Sequence, residues 1–225
     1  MTDQHAPSQF TPTEYDPPLG DLEILYEDDH LLAVNKPHGL LSVPGRGPHL
    51  GDCLIARVQE TFPMALLVHR LDRDTSGVIV FAMTPHAQRG LSAQFEARST
   101  KKTYIARVLG DVTPRAGEVD LPLIVDWPNR PLQKVCYETG KEAVTDYKVM
   151  KSGGGESRMR LTPKTGRSHQ LRVHMLALGH PILGDPLYMP DLAANYPRMM
   201  LHAEELRVNH PDTGKGLKFR AKAGF

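Results

Sequence analysis

An α+β fold with a large, mostly antiparallel sheet flanked by helices is predicted for this 225-residue chain. Three observations predict it. Strand-like and helix-like stretches are mixed along the chain. Two pairs of strand-length apolar runs, 22–26 with 31–35 and 142–150 with 157–162, are hairpin-like. No internal repeat or break in composition marks off a second domain.

Residues 1–20 hold Pro7, Pro12, Pro17 and Pro18 with few aliphatics, and read as a flexible acidic tail. Residues 21–225 then form a single domain. The first hairpin closes around Asp28-Asp29-His30, and residues 36–51, dense in Gly and Pro, are loop. Ile55, Val58 and Phe62 recur at helical spacing over 52–62. Apolar runs at 65–68 and 78–82 read as buried strands. Thr84-Pro85 starts a helix to about Arg98, with Leu91 and Phe95 facing the core. Residues 102–109 alternate as a strand, with Tyr104 and Ala106 on one face. Residues 111–140 are mostly irregular, with prolines at 114, 122, 128 and 131. A Gly153-Gly154-Gly155 loop joins the second hairpin. Ser168 caps a helix with a Leu171, Met175 and Leu178 stripe, which Gly179 ends. Strands at 201–208 and 217–220 close the sheet.

The hydrophobic and charged fractions, 40% and 24%, are those of a soluble globular protein. No apolar run is long enough to cross a membrane, and residues 1–18 lack the features of a secretory signal. Cys53 and Cys136 have neither metal spacing nor a disulfide framework, which indicates reduced thiols and a cytoplasmic protein. The net charge of +1 conceals an asymmetry. Residues 1–29 hold eight acids and no Lys or Arg, so 27 basic residues face 18 acidic ones from His30 onward. Residues 158–174 and 215–225 are basic without an acid between them. That distribution suits a phosphate-binding face, although basic runs are often solvated surface.

Between the runs at 65–68 and 78–82 lie Arg70, Asp72, Arg73 and Asp74. A loop held at both ends by buried strands is rigidly placed, as a reacting carboxylate requires. Asp74-Thr75-Ser76-Gly77 taken alone is ordinary turn chemistry.

The words His69-Arg70-Leu71-Asp72-Arg73-Asp74-Thr75-Ser76-Gly77 resemble the central motif of the RluA family of RNA pseudouridine synthases. Asn35-Lys36-Pro37 through Pro44-Gly45, Lys101-Lys102-Thr103-Tyr104 and Thr165-Gly166-Arg167-Ser168-His169-Gln170-Leu171-Arg172-Val173-His174 agree in order. So do Leu178 through Asp185, and Leu201-His202-Ala203. The similarity spans about Ile24 to Phe225. The run Asp126-Trp127-Pro128-Asn129-Arg130-Pro131 further resembles the dual-specificity branch of that family. The resemblance implies one bent, mostly antiparallel sheet with a catalytic cleft across its middle. With some 20 residues before the first strand, no N-terminal S4-type RNA-binding module is expected, so the catalytic domain itself must recognise RNA.

Pseudouridine formation moves the ribose anomeric carbon from uracil N1 to uracil C5. It is internally balanced, so no cofactor or metal is expected. A carboxylate can attack the sugar, attack the base, or act as a base at the sugar, and the sequence leaves these routes open. By the resemblance, Asp72 is the catalytic carboxylate, Arg172 its cationic partner and Tyr104 the active-site tyrosine. Tyr104 suits stacking on uracil or removal of the C5 proton. Arg70 fills the gap left by a flipped uridine, and Lys102 and Arg167 meet RNA. Each has a plainer reading: Arg172 as a surface helix arginine, Tyr104 as core packing, Asp74 as a turn residue. The implied substrates are a 23S rRNA hairpin and the tRNA anticodon stem-loop, acted on by a monomer.

Two rival classes fit less well. A metal hydrolase would draw on the 11 histidines, but His169 and His174 are five apart and do not share a helix face. A non-catalytic RNA-binding protein would need no pocketed Asp and would show more aromatics than 6%.

Overall fold

A computed structural model describes residues 15–225. The sequence-predicted tail lies outside the described residues up to residue 14. From there Tyr15 Oη donates to the Asp52 carbonyl at 2.7 Å and accepts from Leu41 N at 3.1 Å, and Pro18 O accepts from Arg57.

The first hairpin pairs β1 (Glu23–Glu27) with β2 (Leu31–Lys36). Asp28 makes the turn, its Oδ1 accepting from His30 N and Leu31 N, both at 2.8 Å. Next come α1 (Leu54–Thr61), β3 (Leu66–Leu67), β4 (Ser76–Ala82) and α2 (Pro85–Glu96). Thr84 caps α2 by accepting from Ala87 N at 3.1 Å. The chain continues through β5 (Lys101–Leu109), β6 (Ala116–Asp120), β7 (Leu123–Val125), β8 (Gln133–Val135), β9 (Val144–Gly153) and β10 (Glu156–Pro163). Helix α3 (Gln170–Ala177), the short α4 (Pro190–Ala193), β11 (Leu201–Asn209) and β12 (Gly216–Arg220) complete it.

Among the described residues ten strands form one sheet in the order β1-β2-β4-β11-β5-β10-β9-β6, with β3 on β4 and β12 on β11; β7 and β8 form a separate ribbon. Every pairing is antiparallel except β4 with β11 at the centre, where Ser76 and Gly77 face His202 and Ala203. Gly77 makes that seam possible. A Cβ there would stand 2.2 Å from Ala203 O, and its φ of +116° is open only to glycine.

Strand β4 is buried along its whole length, as a strand covered on both faces should be. Its Val78 and Val80 pack with α2 residues Ala87 and Leu91, while Ile79 and Phe81 pack with α1 residues Leu54 and Val58. Burying Phe81 alone contributes roughly 1.5–3 kcal/mol. Beyond the seam, Ala106, Met159, Leu161 and Met175 anchor another core. Tyr104 touches the clusters on both sides.

Several expectations change. Residues 111–140 are mostly irregular, as expected, but also contain three strands of three to five residues, too short between prolines to show a period. The strand expected at 65–68 contracts to Leu66–Leu67 and is only partly buried. Ser168 does not cap α3. His169 holds that position with φ 55°, while Gln170 Oε1 accepts from Arg167 N and bonds Thr165 Oγ1. The helix is buried from Gln170 through Met175, so the Leu171 and Met175 stripe is one side of an enclosed rod. Gly179, at φ +81°, ends it as expected. Among the described residues no helix is long and apolar enough to cross a membrane.

Candidate active site

The loop between β3 and β4 carries Asp72, and buried groups pin it from below. The Lys36 ammonium is fully buried and donates to Pro37 O, Leu40 O and Arg73 O at 2.9, 2.6 and 2.9 Å. Burial pushes its pKa down to about 7, opposed by the charges of Asp74 and Asp72. The three carbonyls match the three protons of an ammonium. Ser42 Oγ donates to Leu71 O at 2.7 Å and accepts from Leu71 N at 3.1 Å. His69 stacks on Phe95 at 4.5 Å, and its Nε2 accepts from Val80 N. Ser76 bonds His202 Nδ1 and accepts from Arg198. Little freedom is left to the backbone between residues 69 and 76.

Above this loop opens a cavity of about 510 Å³. Arg70, Asp72, Lys102, Tyr104, Arg167 and Arg172, the six residues singled out in the sequence, all line it. The Asp72 side chain is 24% exposed. Its Oδ2 lies 3.3 Å from Arg172 Nη1 and its Oδ1 lies 3.9 Å from His169 Nε2.

Arg172 is buried, not a surface helix residue, and Asp72 is not its main partner. Its Nε and Nη2 donate to the two oxygens of Asp185, each at 2.7 Å. Asp185 is itself fully buried and also accepts from Leu187 N and Tyr188 N. Burial works against the guanidinium charge, but Asp185 more than offsets it, so the pKa rises above the ordinary arginine value. The Tyr188 ring lies 5.0 Å from the guanidinium. Arg172 is thus a fixed cation with one N–H edge turned to Asp72.

Burial pushes the Tyr104 hydroxyl well above its usual pKa, and the charge of Asp72 adds to this. Near neutral pH Tyr104 therefore presents an aromatic face and an intact O–H rather than a phenolate. Lys102 donates to Thr165 O at 3.2 Å; burial lowers its pKa, with Arg98 adding repulsion. Arg167 spends its Nε on Glu142 O. Arg70 is exposed at the rim and makes no hydrogen bond or ion pair among the described residues. Asp74 pairs with Arg73 at 2.9 Å and faces a smaller recess of about 220 Å³ on the other side of the loop.

The sequence pattern of the RNA pseudouridylate synthase family matches residues 30–177. The chain is 56% identical over 214 residues to the dual-specificity RNA pseudouridine synthase RluA of Escherichia coli K12, covering 94% of this chain and 98% of that one. The chain belongs to the RluA family of RNA pseudouridine synthases. The Yersinia pestis RluA is 56% identical over 90% of this chain and 99% of its own. The Haemophilus influenzae RluA is 52% identical over 94% and 98%. The fold agrees with human RNA pseudouridylate synthase domain containing 1 at a TM-score of 0.75 and 28% identity, covering 90% of this chain and 83% of that one. Domain containing 4 gives 0.72 and 28%, covering 89% and 88%. As a member of this family the enzyme is an isomerase acting on RNA.

Four site residues of this pseudouridine synthase escaped the sequence reading. Lys36 and Asp185 lay inside quoted motifs, and each is a lone charge beside an apolar run, a signal for a buried ion. His169 was weighed only as a metal ligand. Among the described residues no group of three or more His, Cys, Asp or Glu is placed to hold a metal. His169 instead bonds Tyr188 Oη at 2.8 Å, and Tyr188 Oη accepts from Gln133 N at 2.9 Å. Nε2 of the same ring faces Asp72 Oδ1 at 3.9 Å, so the imidazole, in its neutral form, lies between tyrosine and carboxylate. Burial lowers the His169 pKa and favours this neutral form, although Asp72 opposes it.

Proposed function

We propose that this chain converts uridines in a 23S rRNA hairpin and in a tRNA anticodon stem-loop to pseudouridine, with Asp72 as the reacting carboxylate. The observation that carries the reading is the Asp72–Arg172–Asp185 row. It holds a partly exposed carboxylate in a cavity that Arg70, Lys102, Tyr104, Arg167 and His169 also line. Two substrate classes follow from relatives named for dual specificity at 52–56% identity.

The target uridine enters the cavity flipped from its stem-loop, with Arg70 taking its place in the stack. The N1–C1′ bond breaks, uracil turns within the cavity, and the C5–C1′ bond forms as C5 gives up its proton and N1 gains one. Attack at the sugar, attack at the base and proton abstraction from the sugar all use a carboxylate in contact with the target nucleotide, and Asp72 serves each. Arg172 holds Asp72 in place through its Nη1 contact, and Tyr104 lies against the uracil. Lys102 and Arg167 meet phosphates at the mouth.

All six side chains come from residues 21–225, which we take as a single catalytic domain acting as a cytoplasmic monomer without cofactor. The test is release of tritium from 5-tritiated uridine in a 23S hairpin and in anticodon stem-loops. Turnover of both classes is expected. Turnover of one class alone removes the dual specificity, and turnover of neither removes the assignment.

A further inference from the structure

Trp127 is the only tryptophan in the chain, and it stands 63% exposed. The exposed indole offers a large planar, amphipathic face to a partner. The Arg130 guanidinium lies 3.9 Å from its ring centroid. One face of the indole carries a cation, and its exposure leaves surface for a second planar group.

The corner that holds this pair is rigid. Asp126 N donates to Leu132 O, Asn129 N to Asp126 O and Leu132 N to Asn129 O, at 2.9–3.0 Å. The Asp126 carboxylate accepts from Asn129 Nδ2 and Lys134 Nζ, so its charge is matched within the turn. The next residue after Arg130, Pro131, lines the smaller recess together with Arg70, Asp72 and Arg172. The turn that carries the Trp127–Arg130 pair therefore reaches the edge of that smaller recess through Pro131. Gln133, at the base of the same ribbon, bonds Tyr188 in the site itself.

We propose that Trp127, backed by Arg130, is a stacking platform for an unpaired base of the substrate loop beside the flipped uridine. The proposal rests on the reading of this cleft as an RNA site. An aromatic face with a cation behind it fits a nucleobase with its phosphate: the ring stacks without regard to base identity, and the arginine supplies charge complementarity.

The sole tryptophan makes the test direct. The full chain is titrated with an anticodon stem-loop and a 23S hairpin while its intrinsic fluorescence is followed. Filter binding and tritium release on the same samples report RNA binding and turnover independently. Strong quenching that saturates with binding is expected. Trp127→Ala should raise KM about 5- to 150-fold, the range base–aromatic stacking covers, with kcat changed less than about threefold at saturating RNA. Trp127→Phe should recover most of the loss. Bound and turned-over RNA with unchanged fluorescence and an unchanged KM in Trp127→Ala would overturn the platform while leaving the proposed function standing.

Discussion

Arg172 is fastened to Asp185 by two contacts of 2.7 Å and reaches Asp72 by one of 3.3 Å. The arginine is thus oriented from behind, by a carboxylate that never meets solvent. Asp185→Asn leaves the buried guanidinium with only its longer contact to Asp72 and should destabilise the fold by about 3–5 kcal/mol. It should also cut kcat, because Arg172 loses its aim. Urea unfolding beside steady-state kinetics checks this, and an unchanged midpoint would show that Asp185 does not hold the cation.

Asp72→Asn keeps shape and removes only charge. Arg172 retains Asp185, so folding and RNA affinity should stay near wild type while pseudouridine formation is lost. Residual turnover within about tenfold of wild type, a barrier change of only about 1.4 kcal/mol, would sink the assignment.

Arg70 has no partner to surrender among the described residues, so its substitution tests its action on RNA. Arg70→Ala should be slow on folded stem-loops and much less impaired where the target uridine is already unstacked, since flipping costs a few kcal/mol. Arg70→Lys should rescue poorly, because an ammonium cannot stack as a guanidinium does. Single-turnover rates for both variants on both RNAs check it. Equal defects on stacked and unstacked RNA, with good rescue by Lys, would make Arg70 a simple phosphate contact.

His69 gives the fold a pH dependence of defined sign. Burial pushes its pKa down to about 3, with the charge of Lys102 adding. Between that value and the ordinary 6.5 the unfolded chain binds a proton that the folded chain refuses. Stability should therefore fall as pH drops through this window, by at most about 1.4 kcal/mol per pH unit and by less for a partly exposed ring. His69→Gln keeps an acceptor for Val80 N and should flatten the slope. Urea midpoints from about pH 4 to about pH 7 decide it.

Turnover should survive EDTA and dialysis, because the isomerisation is internally balanced. Activity that returned only on adding a divalent ion to enzyme with RNA already folded would show a metal requirement.

The parts of the molecule with a long, regular signal were legible beforehand. Strand β4 announces itself as an apolar run and α2 by Thr84-Pro85, and the turn at Asp28 is written in local chemistry. The loop carrying Asp72 stood out through its motif words, since its local pattern reads as a turn. The three-residue strands β7 and β8 are too short to show a period. The Arg172–Asp185 pair joins residues 13 positions apart, and the His169–Tyr188 bond joins residues 19 apart. Such bonds follow from how α3 is buried, which no helical stripe reveals when every side is covered.

The central parallel seam has a consequence for synthesis. Ser76 bonds His202, 126 positions later in the chain, and Asp72 meets Arg172 across 100 positions. Contacts so distant close late and slowly. As the chain leaves the ribosome at about 5–20 residues per second, the stretch bearing Asp72 emerges long before the strand that completes its sheet. A nascent or prematurely terminated chain carries the reactive loop without its cleft. The cleft is complete only after β11, the strand that closes the seam, has been made.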